Sequence, residues 1–232
     1  MHRPDAYLSH NVYPGRGLLL GLTPDQRQAV AAYFIMGRSA NSRNRVFVAD
    51  GEGLRIQAHD PALLSDPSLV IYWPLRKLSR ALLLSNGDQT DTLHRLMSQG
   101  GSFEQALRQR TFEPDAPNYT PRISGLVSFE NGGFRYRLSI LKKGAGCERF
   151  FFRYEAPQAG RLHLIHTYQP GVSPLAPFAG EPTALSTDLA PEAFAQALWE
   201  ALDPDNKVAL FVRAVDPNTM ETQDFIINRL EA

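Results

Sequence analysis

Three polar words in this chain carry side chains suited to gripping a small anion and moving a proton, and each lies between apolar runs. The first, Gly37–Arg45, holds Arg38, Arg43 and Arg45, with no carboxylate before Asp50. A guanidinium is a planar fork that grips phosphate at two points. Arg43 and Arg45 stand two apart, which puts both on one face of a strand, and Asn41, Ser42 and Asn44 add short hydrogen-bonding groups that can orient a sugar or a base. The second word, Ser85–Asp91, follows an apolar run and opens a helical pattern. A strand, a glycine turn and a helix start together leave free backbone N–H groups at one spot. A turn with a cap accounts for Asn86, Gly87 and Thr90, but not for Asp88 and Gln89 beside them. The third word runs from Glu113 to Arg122 and contains Pro114, Pro117 and Pro121. Three prolines stiffen a loop and can fix the Glu113 carboxyl in space at little entropic cost on binding, which makes it a candidate acid or base. Tyr72, near the end of the apolar run Leu69–Trp73, offers a phenol. Each feature also has a plainer explanation: a solvated loop, a helix cap, a rigid connector, a core tyrosine with its hydroxyl satisfied.

Charge narrows the partners. Lys and Arg number 24, as do Asp and Glu, so the chain of 232 residues carries no net field to draw nucleic acid or an anionic membrane. A cluster of arginines inside a neutral chain suggests a pocket for a small anion instead. His163 and His166, three apart on an expected strand, point to opposite faces; the other four histidines are scattered, and no set of three or four zinc ligands is evident. The sequence has no phosphate-loop word, no dinucleotide glycine fingerprint and no Gly-x-Ser-x-Gly elbow, so no cofactor is expected. Cys147 is the sole cysteine, which rules out an internal disulfide and fits a reducing compartment. No run approaches the roughly 18 apolar residues of a membrane span, and the start has no apolar stretch of signal length. A soluble, cytoplasmic protein is the expectation.

The elements that must position these words read as strands over Gly17–Leu22, Ala29–Met36, Arg45–Ala49, Leu54–Ala58, Leu69–Trp73 and Ala81–Leu84. Two helices follow, one capped at Thr90 or Asp91 and running to Ser98, the other from the capping-box pair Ser102 and Gln105 to Gln109. Strands Ile123–Phe129 and Phe134–Ile140 flank the turn Asn131-Gly132-Gly133. Further strands are expected over Arg149–Glu155, Arg161–Tyr168, Val208–Val215 and Phe225–Leu230. A proline-rich loop spans 169–182, and a helix capped at Thr187 or Asp188, with Pro191 in its first turn, runs to Leu202. About a dozen strands, mostly hairpin-connected, with a few helices indicate an α+β fold of antiparallel sheets with helices outside. Residues 1–14 read as a loosely held arm, and 1–232 as one domain.

Taken in order, the arginine and asparagine word, Tyr72, Ser85-Asn86-Gly87-Asp88-Gln89-Thr90-Asp91 and Asn118-Tyr119-Thr120-Pro121-Arg122-Ile123 resemble the stand-alone, archaeal-type IMP cyclohydrolase family in its bacterial form. Tyr13-Pro14-Gly15-Arg16-Gly17 and His166-Thr167-Tyr168 extend the likeness over most of the chain. The resemblance implies a four-layer αββα sandwich similar to the N-terminal-nucleophile hydrolases. It implies closure of 5-formamidoimidazole-4-carboxamide ribotide to IMP without a metal, and assembly as a homo-oligomer. No processed N-terminal nucleophile is implied, and bulky His2 after Met1 agrees. By the same resemblance Tyr72, Glu113 and the Asn44-Arg45 pair match the catalytic group. Arg38, Ser39, Asn86, Gly87, Asp88, Thr90, Asp91, Thr120 and Arg122 match the substrate-lining words. Two alternatives stand beside it: a purine-nucleotide-binding module without turnover, and an amidohydrolase of the same fold. An amidohydrolase needs a nucleophile or an activated water, and no Ser or Cys with a base is evident; a pure binder has no need of both Tyr72 and Glu113.

Overall fold

A computed structural model describes residues 2–64, 66–171 and 175–231. In chain order the elements are α1 (Pro4–Leu8), β1 (Arg16–Leu22), β2 (Ala29–Met36), α2 (Ala40–Arg43), β3 (Arg45–Asp50), β4 (Gly53–Ala58), β5 (Leu75–Leu78), β6 (Ala81–Ser85), α3 (Gln89–Ser98) and α4 (Phe103–Arg108). Then come β7 (Arg122–Glu130), β8 (Gly133–Lys143), β9 (Cys147–Tyr154), β10 (Arg161–His166), β11 (Thr183–Ser186), α5 (Pro191–Ala201), β12 (Lys207–Val215) and β13 (Thr222–Asn228). The strands form two sheets, ordered β11-β10-β1-β2-β12-β13 and β3-β4-β5-β6-β7-β8-β9, with antiparallel pairing throughout.

Strand periodicity sorts the residues into layers. In β1, Leu18 and Leu20 face the other sheet while Leu19 faces outward; in β2, Tyr33 and Ile35 face inward while Phe34 and Met36 face outward. Both faces of this sheet are therefore covered, which is why β1 and β2 read as unbroken apolar runs rather than alternating ones. Phe194, Leu198 and Leu202 of α5 and its end, with Leu8 of α1, cover the outer face of the first sheet. Leu93 of α3 and Phe103, Ala106 and Leu107 of α4 cover Leu83, Leu126 and Leu141 of the second. Between the sheets, Leu18, Leu20 and Ile35 meet Phe47, Ile56, Leu84, Ile123 and Leu138 in one core. The result is the expected α+β sandwich in four layers, helix, sheet, sheet, helix.

Several local expectations are corrected. Leu69–Trp73 is no strand: Val70 and Ile71 turn back onto the Pro67 carbonyl, and the strand begins at Leu75, after Pro74, which has no N–H to give a ladder. Arg43 and Arg45 do not share a strand face, because Arg43 ends the short helix α2 and Arg45 opens β3. Ser39 caps α2 through a reciprocal bond with Ser42, a local signal strong enough to bend the word into a helical turn. Helix α3 starts at Gln89 with Asp88 as its cap position, two residues before the expected start. Ala190 precedes Pro191 as the cap of α5, while Thr187 holds the Leu189 N–H. The arm is held: α1 packs on α5 with Leu8 buried, and His2 bridges Leu185 of β11. Of the loop expected over 169–182, residues 172–174 lie outside the described residues; within the rest, Gln169 donates to the Ala176 carbonyl.

Candidate functional site

The head of β1 puts Arg16 on the same face as Leu18 and Leu20, and the head of β3 puts Arg45 on the same face as Phe47. Both guanidiniums thus enter one end of the seam between the sheets. Arg45 is 1% exposed; its Nε donates to the Ser42 carbonyl at 2.7 Å and its Nη2 to the Met36 carbonyl at 3.3 Å. Its Nη1 is buried with no partner among the described residues. Tyr72 comes to the same place from the turn before β5, and its hydroxyl lies 2.7 Å from that of Tyr33.

Glu113 arrives from the proline-stiffened loop, whose Glu113 N–H donates to the Thr120 carbonyl at 2.9 Å. Its carboxylate stands 3.9 Å from the Arg16 guanidinium, an ion pair too long for a hydrogen bond. Glu113 Oε1 and Arg16 Nε are also buried without a partner. Burial pushes the Glu113 carboxyl above its ordinary range, against the opposing pull of Arg16 and Arg122. Burial works most strongly against the charge on Arg16, but Glu113 together with Tyr72, Tyr33 and Tyr168 outweighs it and leaves Arg16 raised. A 3.9 Å pair returns less than the lost water, so the Glu113 carboxyl stays raised. Arg45, with no carboxylate of its own, is lowered by burial. Three unpartnered polar atoms among buried charges of both signs form an unsatisfied set, which native cores avoid unless the groups have a use.

The second and third words meet beside this set. Arg122 donates to Gln89 Oε1 at 2.5 Å and pairs with Asp88 at 2.8 Å, and Asp88 also takes Arg110 at 2.5 Å. Partial burial disfavours charge on Asp88, yet Arg110 and Arg122 hold it below the usual carboxylate range. Gly87 lies against Arg122 and Glu113 so closely that a Cβ there would overlap Arg122 Nη1. Thr120 bonds the Tyr168 hydroxyl at 2.5 Å, and the Tyr168 ring stacks on Tyr13 with centroids 6.1 Å apart. Gly15, at φ +79, lets the chain pass directly over Tyr168. Arg38 then sits over the Tyr13 ring at 4.5 Å, and the two line a cleft of about 240 Å³ with Asn11, Gln169 and Asn206. Neither this cleft nor a larger concavity, about 650 Å³ between α5 and β13, is lined by Arg16, Arg45, Tyr72 or Glu113; the smaller one adjoins them through Tyr13, which stacks on Tyr168.

Tyr72, Glu113 and Arg45 therefore converge, with Arg122, Gly87, Asp88 and Thr120 beside them and Arg38 at the cleft. Other expected residues have structural duties. Asn44 braces Asp60 by exchanging hydrogen bonds with its N–H and carbonyl, both at 2.7 Å. Asn86 joins the Pro121 carbonyl to the Ile123 N–H. Thr90 bonds Ser85 and the Gly87 carbonyl beneath the turn. Arg43 turns to the Gly37 carbonyl and Asn206. Asp91 points out to Arg76, and Ser39 is taken by its cap. Asn41 is half-buried with Oδ1 unpartnered. In the sequence Arg16 and Tyr168 stand only as part of the likeness, with no role, and Tyr33 not at all, though a charged or phenolic residue within or at the head of a buried apolar strand is a usable signal.

Two antiparallel sheets with guanidinium, phenol and carboxyl groups buried at one end of their seam define the class, an α+β sandwich with a buried polar cluster. The sequence pattern of the IMP cyclohydrolase-like protein family matches residues 13–219, and the chain belongs to that family, which makes it an enzyme of the cyclohydrolase type. It is similar to the IMP cyclohydrolase of Methanopyrus kandleri, 29% identical over 160 residues that span 68% of this chain and 75% of the relative. Residues 13–219, matched by the family pattern, include every residue of the buried set.

Proposed function

We propose that this chain closes 5-formamidoimidazole-4-carboxamide ribotide to IMP with loss of water, and that residues 1–232 act as one catalytic domain. The observation that carries the reading is the burial of Tyr72, Glu113 and Arg45, beside an Arg16 side chain only 12% exposed, with three polar atoms left unpaired among the described residues. Both reacting groups already sit on one imidazole, so the task is to hold the rotamers that face them together. The carboxamide nitrogen attacks the formyl carbon and gives up one proton. The formamide nitrogen gives up another, and both protons leave with the formyl oxygen as water.

An amide nitrogen is a poor nucleophile, so a base must take its proton as the bond forms. Glu113, whose carboxyl burial raises above its ordinary range, takes that proton and returns it. Tyr72 donates to the formyl oxygen, and the free Nη1 of Arg45 faces the charge that grows there. Arg16 holds Glu113 in place. The ribotide phosphate is assigned to Arg38, exposed at the cleft, since Arg43 is occupied. Proton movement alone suffices for this dehydration, so no cofactor is invoked, and a cytoplasmic setting fits the substrate. No helix among the described residues is long and apolar enough to cross a membrane.

Purified protein given the formamido ribotide should produce IMP, read as the absorbance rise on ring closure. Glu113→Gln and Tyr72→Phe should each lower kcat by about 10²–10⁴-fold, the span typical of a positioned acid or base. Tight IMP binding without turnover would favour a nucleotide-binding module, and near-normal rates in both folded variants would remove the assigned roles.

A further inference from the structure

Tyr33 is a phenol that the mechanism above does not use. It lies in β2, 0% exposed, in a run whose other members are all apolar. A phenylalanine would fill the same space without burying a hydroxyl. The ring packs on Phe47 with centroids 5.7 Å apart. Its hydroxyl has one hydrogen-bond partner among the described residues, the Tyr72 hydroxyl at 2.7 Å, and Tyr72 has no other. Tyr33 belongs to the first sheet and Tyr72 leads into the second, so this bond crosses the seam beside Arg16 and Arg45.

Either oxygen can donate in such a pair, but their surroundings differ. Tyr33 is enclosed and has no second acceptor to turn to. Tyr72, 5% exposed, is less enclosed, and the Arg16 and Arg45 guanidiniums, the latter with Nη1 unpaired among the described residues, lie within electrostatic reach of it. The satisfied arrangement has Tyr33 donating to the Tyr72 oxygen, which leaves the Tyr72 proton directed away from Tyr33. We propose that Tyr33 is a positioning residue, which aims the Tyr72 proton at the substrate by donating a hydrogen bond to the Tyr72 oxygen. The inference rests on the ring-closure reading. As the Tyr72 proton passes to the formyl oxygen, the O–H bond of Tyr72 breaks and that of the leaving water forms. Negative charge remains on the Tyr72 oxygen, where the Tyr33 hydrogen bond grows stronger, while Tyr33 keeps its own proton.

A double-mutant cycle tests this. Tyr33→Phe should lower kcat by about 10- to 100-fold with KM changed less than about threefold, because the lost bond matters most in the transition state. The double variant Tyr33→Phe/Tyr72→Phe should be no slower than Tyr72→Phe alone, since Tyr33 acts only through Tyr72. Tm and IMP affinity of each variant separate this from unfolding; a purely structural role would move Tm and leave the two kcat effects multiplicative. Multiplicative losses, or a Tyr33→Phe rate equal to wild type, overturn the inference. Absence of turnover in the wild-type protein would instead remove the functional reading beneath it.

Discussion

Glu113 carries the clearest conflict between stability and use. Its carboxyl is 1% exposed, faces Arg16 only at 3.9 Å, and keeps one oxygen unpaired. With its folded pKa above the unfolded one, the folded state binds the extra proton between the two values. The stability this group contributes is present below the unfolded value and lost as pH rises through the folded one. Glu113→Gln, which keeps the shape and removes the charge, should therefore raise Tm at pH 8 while abolishing most turnover, and should give no gain at pH 4. A lower Tm at pH 8 than wild type would mean that the Arg16 pair, not burial, dominates. This residue was visible in the sequence as a carboxyl on a proline-stiffened loop. Its partner Arg16 entered the likeness without a role, because one arginine before Gly-Leu-Leu-Leu reads as a strand end until the facing sheet closes over it.

At the level of elements, short segments hold the site more than long ones. Helix α2 has four residues, yet its Ser42 carbonyl fixes Arg45, and its start is fixed in turn by Ser39. The arm does similar work on the other side. Tyr7 of α1 donates to Nε2 of His166 at 3.0 Å, and Nδ1 of His166 donates to the Tyr168 carbonyl at 2.8 Å, so the helix supports the segment that carries Tyr168. Burial pulls His166 down from 6.5 to about 4, so it stays neutral and keeps both bonds. A depressed pKa contributes stability that is present above the unfolded value and lost as pH falls toward the folded one. Tm should drop as pH falls from 6.5 to about 4, and His166→Gln should flatten much of that slope. Half-buried His163, also pulled to about 4, will keep part of it. Equal slopes in both proteins would contradict the neutral, doubly bonded His166. The arm read as loose because five residues make a weak helix alone; what holds it is Leu8 and Tyr7 against distant elements, which local sequence does not reveal.

Across the whole molecule, hairpin signals and apolar periodicity announced most strands, and the α+β class with them. What they left open was which sheet each hairpin joins. Strand β2 pairs with β12, some 170 residues on, and β10 lies beside β1. Packing of the two sheets face to face then brings Arg16 and Tyr33 of one opposite Arg45 of the other and Tyr72 of the turn leading into it, so the site belongs to the seam rather than to any single word. The three words were legible as polar interruptions, but their division of labour was not. Asn44, Asn86 and Thr90 have the same donor types as a ligand shell and spend them on backbone. A structure of the chain with IMP bound tests the seam most directly. It should show the purine within hydrogen-bond reach of Tyr72 and Glu113, Arg45 Nη1 paired, and the phosphate at Arg38. IMP seated instead in the groove between α5 and β13, with Glu113 and Arg45 still unpaired, would contradict the account.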